Sequence, residues 1–346
     1  MKSISLALVL ILLGCVGLEA QDQLELGTLE FPDLKDSKRK GRRVPIKVHY
    51  PQKKGIYPVV IFSHGGGGTW DSHLYQAKDL ASHGYVVLCI EHVFSNNIKL
   101  REHARRATGT LRQRIIKGFQ RMTTDPKAVL ERPKDISFAI DRAIEWNNKH
   151  AKLRGRIDTA RIAVAGHSFG AYTTMVVCGA RPILDYLDPP VQPGKGLAGD
   201  LSDLRVTIGI AFSPLGLGTS RFGKESFKTV ARPLLCFSGT DDQQFGHDMT
   251  TQPAKKRLKG FKLMPPGDKY LLWLENADHL CFFANPRDHL FPSKARPDAQ
   301  RIAKEMTRLF CDYYLKGKNG AKQLFNERHA NSLCGHTVKK VTWYEK

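Results

Sequence analysis

The chain has 346 residues, of which 41% are hydrophobic and 9% aromatic, enough apolar material to fill a large core. This composition excludes disordered, collagen-like and low-complexity chains, and the length allows one large α/β domain or two smaller ones. Lys and Arg number 54 against 33 Asp and Glu, and this formal charge of +21 raises the question of nucleic-acid binding.

The first twenty residues predict a targeting segment. Lys2 precedes an apolar run, residues 4–13, that is too short to span a bilayer and is typical of a secretory signal. Removal of a signal peptide of residues 1–20 would leave residues 21–346 as a single domain of a secreted or periplasmic protein. The stretch Leu12-Leu13-Gly14-Cys15 also resembles a bacterial lipobox, so a lipid anchor on Cys15 that tethers the protein to a membrane is an open alternative.

Short continuous apolar runs predict the strands of a parallel sheet, because strands buried on both faces show little polar alternation. The runs are Pro58–Phe62, Tyr85–Ile90, Arg161–Ala165, Val206–Phe212, Pro233–Phe237 and Tyr270–Leu274. Tyr270–Leu274 is the last strand predicted along the chain. An alternating strand at residues 44–48 precedes them, after a basic segment, 33–43, that is expected to be an exposed loop or turn. Apolar stripes at helical spacing in 136–144 and 299–310 predict helices. The expected fold is a doubly wound, mostly parallel α/β sheet with helices on both faces.

Three long connections separate these elements, at residues 95–132, 181–205 and 243–269. In such a fold they would overhang the carboxyl ends of the strands, where ligands bind. The first is a long basic insertion with eight Lys or Arg between Lys99 and Arg121 and a single Phe, Phe119. A nucleic-acid-binding surface would interleave stacking aromatics with its charges, so we expect no nucleic-acid partner.

Six cysteines follow Cys15, too few for a disulfide-dense scaffold. Three of them lie in apolar stretches and are predicted to be buried thiols: Cys89, Cys178 and Cys236. Cys311 and Cys334 follow the last predicted strand, and a disulfide between them is an open possibility.

The segment Gly166-His167-Ser168-Phe169-Gly170 carries a Gly-x-Ser-x-Gly motif between the predicted strand Arg161–Ala165 and a helix-compatible run. This context predicts a nucleophile elbow, in which a sharp turn holds Ser168 at the top of the sheet. The following helix would direct the partial positive charge of its N-terminus at the reacting atoms. Ser168 is therefore the predicted nucleophile, and an ordinary Gly-Ser turn is the alternative.

A serine nucleophile needs a histidine base and an acid that orients it. In this strand order the acid is expected after a later strand and the histidine after the last one. Strand 233–237 is followed by Asp241 and Asp242, and strand 270–274 by His279. We therefore predict a Ser168–Asp242–His279 triad, with Asp241 as the competing acid.

The oxyanion of an acyl-transfer reaction needs two backbone N–H donors. One predicted donor is the amide of Phe169, directly after the nucleophile. The other is expected from the loop after strand 58–62, His64-Gly65-Gly66-Gly67-Gly68-Thr69-Trp70, with Gly66 preferred and Gly65 second. Gly65 and Trp70 are also candidate substrate contacts, although a packing role for Trp70 is equally open.

Together these motifs resemble the α/β-hydrolase superfamily over most of the chain, from about Val44 to Leu315. The branches it resembles are the dienelactone hydrolase-related esterases, the platelet-activating factor acetylhydrolases and the cutinase-like polyester hydrolases. The resemblance rests on Phe62–Gly66, Asp79–Val87, Ile157-Asp158 and Arg161–Gly170.

The resemblance implies an α/β-hydrolase catalytic domain that cleaves esters through an acyl-enzyme. The acetylhydrolases share the Phe-Ser-His-Gly loop, and their oxyanion donor corresponds to Gly66. Their acid follows an earlier strand, where this chain has Ser213, so the acid here is expected to be Asp242, as in the other two branches. The elbow also continues with Ala171, where many members have a second Gly.

The predicted function is therefore hydrolysis of a small-molecule or lipid-like ester. No metal or organic cofactor is expected, since His64, His92 and His167 do not form a convincing ligand set. Three alternatives stay open on the same fold: a lactone or dienelactone hydrolase, a serine peptidase, and a non-catalytic binding protein.

Overall fold

The computed structural model describes residues 23–283 and 292–346, so the predicted signal peptide and Cys15 lie outside the described residues. The strands are β1 (Leu26–Phe31), β2 (Lys35–Asp36), β3 (Arg42–Arg43), β4 (Ile46–Pro51), β5 (Tyr57–Ser63), β6 (Val86–Ile90), β7 (Ile157–His167), β8 (Val206–Phe212), β9 (Leu234–Asp241), β10 (Gln244–Phe245), β11 (Thr251–Gln252), β12 (Lys269–Asp278) and β13 (Val341–Glu345). The helices are α1 (Leu74–Ser82), α2 (Asn97–Arg106), α3 (Leu111–Thr124), α4 (Pro126–Val129), α5 (Glu131–Lys149), α6 (Phe169–Val177), α7 (Lys255–Lys262), α8 (Arg296–Lys316), α9 (Asn319–Leu324) and α10 (Glu327–Ser332). In the described part of the chain, no helix combines the length and the apolar character needed to cross a membrane.

Nine strands form one large sheet in the order β1-β4-β6-β5-β7-β8-β9-β12-β13. The central strands from β6 to β12 run parallel. On one side β4 pairs antiparallel with both β6 and β1, and on the other β13 pairs antiparallel with β12. The apolar runs correspond to these buried central strands. The sequence-based prediction lacks β1 and β13, because these edge strands are only partly buried and mix polar with apolar residues.

Helices cover both faces of the sheet. Apolar side chains of α5 and α6 form one core layer with the strands, and those of α1 and α8 form the other. The two helices that the apolar stripes predict are α5 and α8. This arrangement confirms the predicted doubly wound α/β class and is the α/β-hydrolase fold.

The chain reverses its winding direction between β5 and β7, which are neighbours in the sheet. From β5 it passes through α1 to β6 on one side, and from β6 through α2–α5 to β7 on the other. Such a reversal leaves a crevice at the carboxyl ends of the two strands, where ligands bind in open α/β sheets. The glycine-rich loop follows β5 and Ser168 follows β7, so both segments line this crevice.

The basic segment 33–43 is a short hairpin turn whose residues are mostly exposed, in agreement with the expected exposed loop or turn. Strands β2 and β3 pair with each other, and Asp36, at the end of β2, is buried. Arg39 Nη1 lies 2.7 Å from Asp135 Oδ1, and Arg42 bonds both oxygens of the same carboxylate at 2.7 and 2.8 Å. The hairpin is therefore anchored by a buried partner on α5, about a hundred residues away, which no local pattern reveals.

The long basic connection at 95–132 is mostly helical, since it contains α2, α3 and α4. Helix α3 begins with a capping box in which Thr110 and Gln113 bond each other's backbone amides. Its inner face covers the glycine-rich loop, because a Cβ at Gly66 would lie 3.1 Å from Met122 Cε and 3.3 Å from Phe119 Cε1. The insertion thus forms a helical cover over one wall of the crevice.

All described cysteines are free thiols, and the predicted burial of Cys89, Cys178 and Cys236 is confirmed. The structure contains no disulfide between Cys311 and Cys334, so that possibility is not realised. Cys311 is buried on the face of α8 that packs against the sheet, whereas the Cys334 thiol lies 3.9 Å from Asn331 Oδ1.

Candidate active site

Ser168 occupies the sharp turn between β7 and α6. Its φ of 56° and ψ of −113° are unusual for a residue other than glycine and store strain at this turn. The flanking glycines are required by close packing: a Cβ at Gly170 would lie 1.9 Å from the Ser63 carbonyl oxygen, and one at Gly166 would lie 2.5 Å from Gly170 C. The motif therefore adopts the strand–turn–helix geometry that sequence analysis predicts.

His279 bridges Ser168 and Asp242, although the three residues follow different strands of the sheet. Its Nε2 lies 3.0 Å from Ser168 Oγ, and its Nδ1 lies 2.8 Å from Asp242 Oδ1. The His279 side chain is 34% exposed, whereas Asp242 is fully buried. An imidazole that receives the serine proton at Nε2 and donates from Nδ1 to a buried carboxylate has the geometry of a nucleophile–base–acid chain.

The structure brings Asp242, and not Asp241, to His279. Asp241 is exposed and its Oδ1 accepts a bond from Thr240, whereas Asp242 Oδ2 accepts one from Ser238 Oγ at 2.8 Å. Asp278, next to His279 in sequence, instead accepts the amide of Leu280 in a turn.

Asp242 has a second partner in the buried guanidinium of Arg257, on α7. Arg257 Nη2 lies 3.0 Å from Asp242 Oδ1 and 3.0 Å from His279 Nδ1. Burial alone would raise the pKa of Asp242, but Arg257 and the bond from His279 outweigh it and lower this pKa to about 2. Asp242 is therefore ionised at neutral pH, and its charge is balanced by a fixed cation.

Arg257 also ties together the strand ends around the acid. Its other donors bond the carbonyl oxygens of Ser213, Pro214, Asp242 and Gln243 at 2.7–3.0 Å. Ser213, the position at which the acetylhydrolase pattern places its acid, is fully buried at the end of β8 with a φ of 50°. That strand end supplies a backbone carbonyl to Arg257 rather than a carboxylate to His279.

The predicted oxyanion donors lie on the glycine-rich loop and on the first turn of α6. In residues 23–283 and 292–346, the amides of Gly65 and Gly66 bond no protein acceptor, whereas Gly67 N–H donates to the Ser95 carbonyl oxygen at 2.8 Å. A Cβ at Gly65 would lie 3.7 Å from Ser168 Cβ, so this loop runs beside Ser168. The Phe169 amide belongs to the first turn of a helix, where amides lack intrahelical acceptors.

Trp70 has packing contacts in the structure. Lys47 Nζ lies 4.8 Å from its ring centroid, and the ring packs against the core layer that α1 and α8 cover. A contact between Trp70 and substrate stays a prediction.

Three histidines near the strand ends, His64, His92 and His167, form hydrogen bonds within the protein. His64 Nδ1 donates to the Gly65 carbonyl oxygen at 2.6 Å, and His64 Nε2 accepts the His92 amide at 3.0 Å. His167 Nε2 donates to the carbonyl oxygen of His279 at 2.8 Å. Among the residues that the structure describes, no group of three or more His, Cys, Asp or Glu is arranged to hold a metal ion.

Two buried arginines at this site, Arg132 and Arg257, are not predicted from the sequence. Arg132 precedes Ile136 by one helical turn and so lies on the apolar stripe of α5, an unusual position for a charged residue that could have been noticed. Arg257 lies among several lysines on α7, and nothing in the local pattern distinguishes it from a surface cation.

Comparison with known proteins gives matches confined to part of the chain. Residues 41–182 match the family described as platelet-activating factor acetylhydrolase, isoform II. Cutinase 2 of Thermobifida cellulosilytica is 26% identical over 139 residues, which are 40% of this chain and 40% of that protein. Cutinase cut1 of Thermobifida fusca is 26% identical over 139 residues, 40% of this chain and 33% of the relative. The platelet-activating factor acetylhydrolase of Cavia porcellus is 27% identical over 150 residues, 38% of this chain and 34% of that protein.

These alignments cover at most two fifths of each relative's length. The family match includes Ser168 and the glycine-rich loop, whereas Asp242 and His279 lie beyond its end. The fold and the matches agree with the resemblance seen in the sequence. The chain has the α/β-hydrolase fold, and part of it is similar to platelet-activating factor acetylhydrolases and to cutinases.

Proposed function

We propose that this protein is a serine hydrolase that cleaves carboxylic esters with Ser168, His279 and Asp242. The observation that carries the proposal is the hydrogen-bonded series from Ser168 Oγ through His279 to Asp242, with distances of 3.0 and 2.8 Å, at a strained elbow. The similarity to proteins named cutinase and acetylhydrolase supports an ester as the substrate class.

In the first half of the reaction, Ser168 Oγ attacks the ester carbonyl carbon while His279 Nε2 takes the serine proton. Asp242 accepts the Nδ1–H of His279, which keeps Nε2 free to act as base and stabilises the imidazolium that forms. The imidazolium then gives its proton to the departing alcohol, and the acyl group stays on Ser168.

In the second half, His279 takes a proton from the water that attacks the acyl-enzyme. The imidazolium then returns this proton to Ser168 Oγ as the carboxylic acid product is released. The tetrahedral intermediate of each half carries an oxyanion, which the amides of Gly66 and Phe169 would bind. Each such donor stabilises the transition state by about 3 kcal/mol. The chain's own side chains and amides thus provide the nucleophile, the base, the acid and the oxyanion donors.

The test is a panel of p-nitrophenyl esters from acetate to palmitate, assayed with the wild type and with Ser168→Ala. We expect the wild type to hydrolyse part of the panel, and Ser168→Ala to lose at least about 10⁴-fold in kcat. Equal rates in both proteins, or no hydrolysis by the wild type, would refute the esterase proposal.

A fluorophosphonate probe and two further substrates separate the alternative functions. Covalent labelling of the wild type but not of Ser168→Ala is expected, whereas a non-catalytic binding protein would not be labelled. Faster cleavage of a dienelactone or of a peptide than of any ester in the panel would identify a lactone hydrolase or a peptidase on the same fold.

We also propose that the protein is exported, on the strength of the apolar run at residues 4–13. The mass of the mature chain from a secreting host checks this: cleavage after Ala20 gives a chain that begins at Gln21. A lipid-modified N-terminus at Cys15, abolished by Cys15→Ser, would support the tethered alternative.

A further inference from the structure

Arg132, on α5, is a fully buried cation that the proposed mechanism does not use. In the described part of the chain its guanidinium forms no ion pair, and its hydrogen bonds go to uncharged oxygens. Burial lowers the pKa of Arg132 to about 9, so the side chain is still charged at neutral pH. A buried charge without a direct counter-ion is costly to maintain, so a role for this one must be sought in what it contacts.

The guanidinium joins the three segments that surround the predicted oxyanion site. Its Nη2 donates to the His64 carbonyl oxygen, and also to Ser63 Oγ at 3.0 Å, at the end of β5. Its Nη1 donates to Ser95 Oγ at 2.5 Å, in the loop after β6. Its Nε donates to Thr173 Oγ1 at 2.9 Å, on α6. A single side chain therefore holds two strand ends and the helix that follows the nucleophile.

Each of these contacts is next to a group that sets the position of an oxyanion donor. The His64 carbonyl belongs to the peptide that leads into Gly65 and Gly66. Ser95 accepts the Gly67 amide through its own carbonyl oxygen, so holding Ser95 also holds the far end of the glycine-rich loop. The Arg132 guanidinium also lies 4.4 Å from the ring centroid of Phe169, the residue that bears the second donor.

A run of four glycines has little conformational preference of its own, so its rigidity must come from outside the loop. Oxyanion stabilisation depends on donors that are already in place before charge develops. An anchor that holds both donors would therefore affect the transition state more than the bound substrate.

We propose that Arg132 is the positioning residue of the oxyanion hole, holding the Gly66 and Phe169 amides in register through His64, Ser95 and the Phe169 ring. This inference rests on the proposed function. Arg132 does not touch the substrate; it acts through the backbone that does. Its loss should lower kcat and leave KM nearly unchanged, because acylation and deacylation both pass through an oxyanion and should slow by a similar factor.

The test compares Arg132→Lys and Arg132→Met with Arg142→Lys and Arg142→Met. Arg142 is a matched control: it lies on the same helix, its guanidinium is 5.1 Å from the Phe138 ring centroid, and it pairs with Glu145 at the surface. We expect Arg132→Met to lose about 10²-fold in kcat, the loss typical of one missing oxyanion donor. Arg132→Lys should recover part of that loss, and the Arg142 variants should match the wild type.

A second readout is the binding of an alkyl boronic acid, measured by calorimetry without turnover. Ser168 Oγ adds to the boron and its proton moves to His279, so the adduct places an oxygen where the oxyanion forms. We expect boronate affinity to fall in parallel with kcat in the Arg132 variants. Ser95→Ala, which removes one acceptor and leaves the charge, gives a milder version of the same effect and serves where Arg132→Met does not fold.

The inference is overturned if folded Arg132→Lys and Ser95→Ala keep the kcat and the boronate affinity of the wild type, or if KM alone changes. The proposed function is judged separately, by the wild type against Ser168→Ala. Because boronate binding needs no turnover, Arg132 is tested even where no ester of the panel is hydrolysed.

Discussion

A buried arginine holds each of the two walls of the crevice, but the two guanidinium groups differ in whether a carboxylate is bonded to them. On the oxyanion wall, formed by residues 64–68 and 169, Arg132 bonds only neutral oxygens. On the acid–base wall, formed by Asp242 and His279, Arg257 lies 3.0 Å from a buried carboxylate. Among the described residues, the Arg132 cation therefore bonds no carboxylate directly, although the Asp135 charge lies near it, whereas Arg257 and Asp242 form a direct ion pair.

The difference follows the chemistry that each wall would perform. In the proposed reaction, negative charge would develop on the oxyanion wall, and a nearby positive charge would favour it. The acid–base wall must hold a permanent carboxylate in a dry site, and such a charge needs a partner. The family match ends at residue 182, so it contains the first wall and does not reach the second.

The largest effect on the acid–base wall is expected from Asp242→Asn. This change preserves the shape of the side chain and removes the charge that holds His279 in the required tautomer, so kcat should fall by about 10⁴-fold. Asp241→Asn is the matched control, because the side chain of this exposed neighbour bonds Thr240 Oγ1 rather than His279. Steady-state kinetics on the best ester measure both, and a larger loss for Asp241→Asn would overturn the choice of acid.

Arg257→Met should cost more stability than Arg132→Met. Removing Arg257 leaves the buried Asp242 with His279 and Ser238 as its partners, and breaking a buried ion pair costs about 3–5 kcal/mol. Removing Arg132 strands no carboxylate. For a chain of this size, we expect the Tm of Arg257→Met to fall by on the order of 10 °C.

Thermal unfolding followed by circular dichroism measures both variants. Arg257→Lys, which keeps the charge but has fewer donors, should lie between Arg257→Met and the wild type. Equal Tm losses for Arg257→Met and Arg132→Met would contradict the prediction that losing the ion-paired arginine costs more stability.

The sequence predicts the central sheet and the order of Ser168, Asp242 and His279 because both depend on local signals. Apolar runs mark buried strands, and the residues directly after those runs lie at one edge of a parallel sheet. Gly166 and Gly170 mark the elbow because only glycine fits beside Ser63 there.

The remaining features depend on contacts between distant segments. The hairpin at 35–43 is ordered by Asp135, and Arg257 reaches carbonyls on two other strand ends. In the sequence, Arg39 and Arg42 of the hairpin and Arg257 cannot be told apart from the other Lys and Arg of a chain with a charge of +21. The absence of a Cys311–Cys334 disulfide likewise depends on how α8 and the segment after α10 are placed in the fold. Arg132 is the exception, since its place on the apolar stripe of α5 could have been noticed.

The region that contains the oxyanion wall has several buried histidines, which should make its stability sensitive to acid pH. Five buried histidines lie between residues 41 and 182: His49, His64, His73, His92 and His167. Burial lowers the pKa of His49 and His73 to about 4 and that of His92 to about 3, and it holds the pKa values of His64 and His167 well below 6.5. The unfolded chain binds protons at these residues below about pH 6.5, and the folded chain does not. The free energy of unfolding should therefore fall as the pH drops from 6.5 toward 4.

His73→Phe tests this with one residue. Neither ring nitrogen of His73 has a hydrogen-bond partner in the described part of the chain, and its ring lies 5.4 Å from that of Phe62 and 6.3 Å from that of Phe212. Phenylalanine can fill this space without titrating. Between pH 6 and 4.5, the slope of the unfolding free energy against pH should therefore be smaller in the variant by up to about 1.4 kcal/mol per pH unit. Urea unfolding at several pH values measures the slope, and His336→Gln, at an exposed histidine, should keep the slope of the wild type. If His73→Phe keeps it as well, His73 takes up its proton in the folded chain, and the acid sensitivity of this region must arise from the other four.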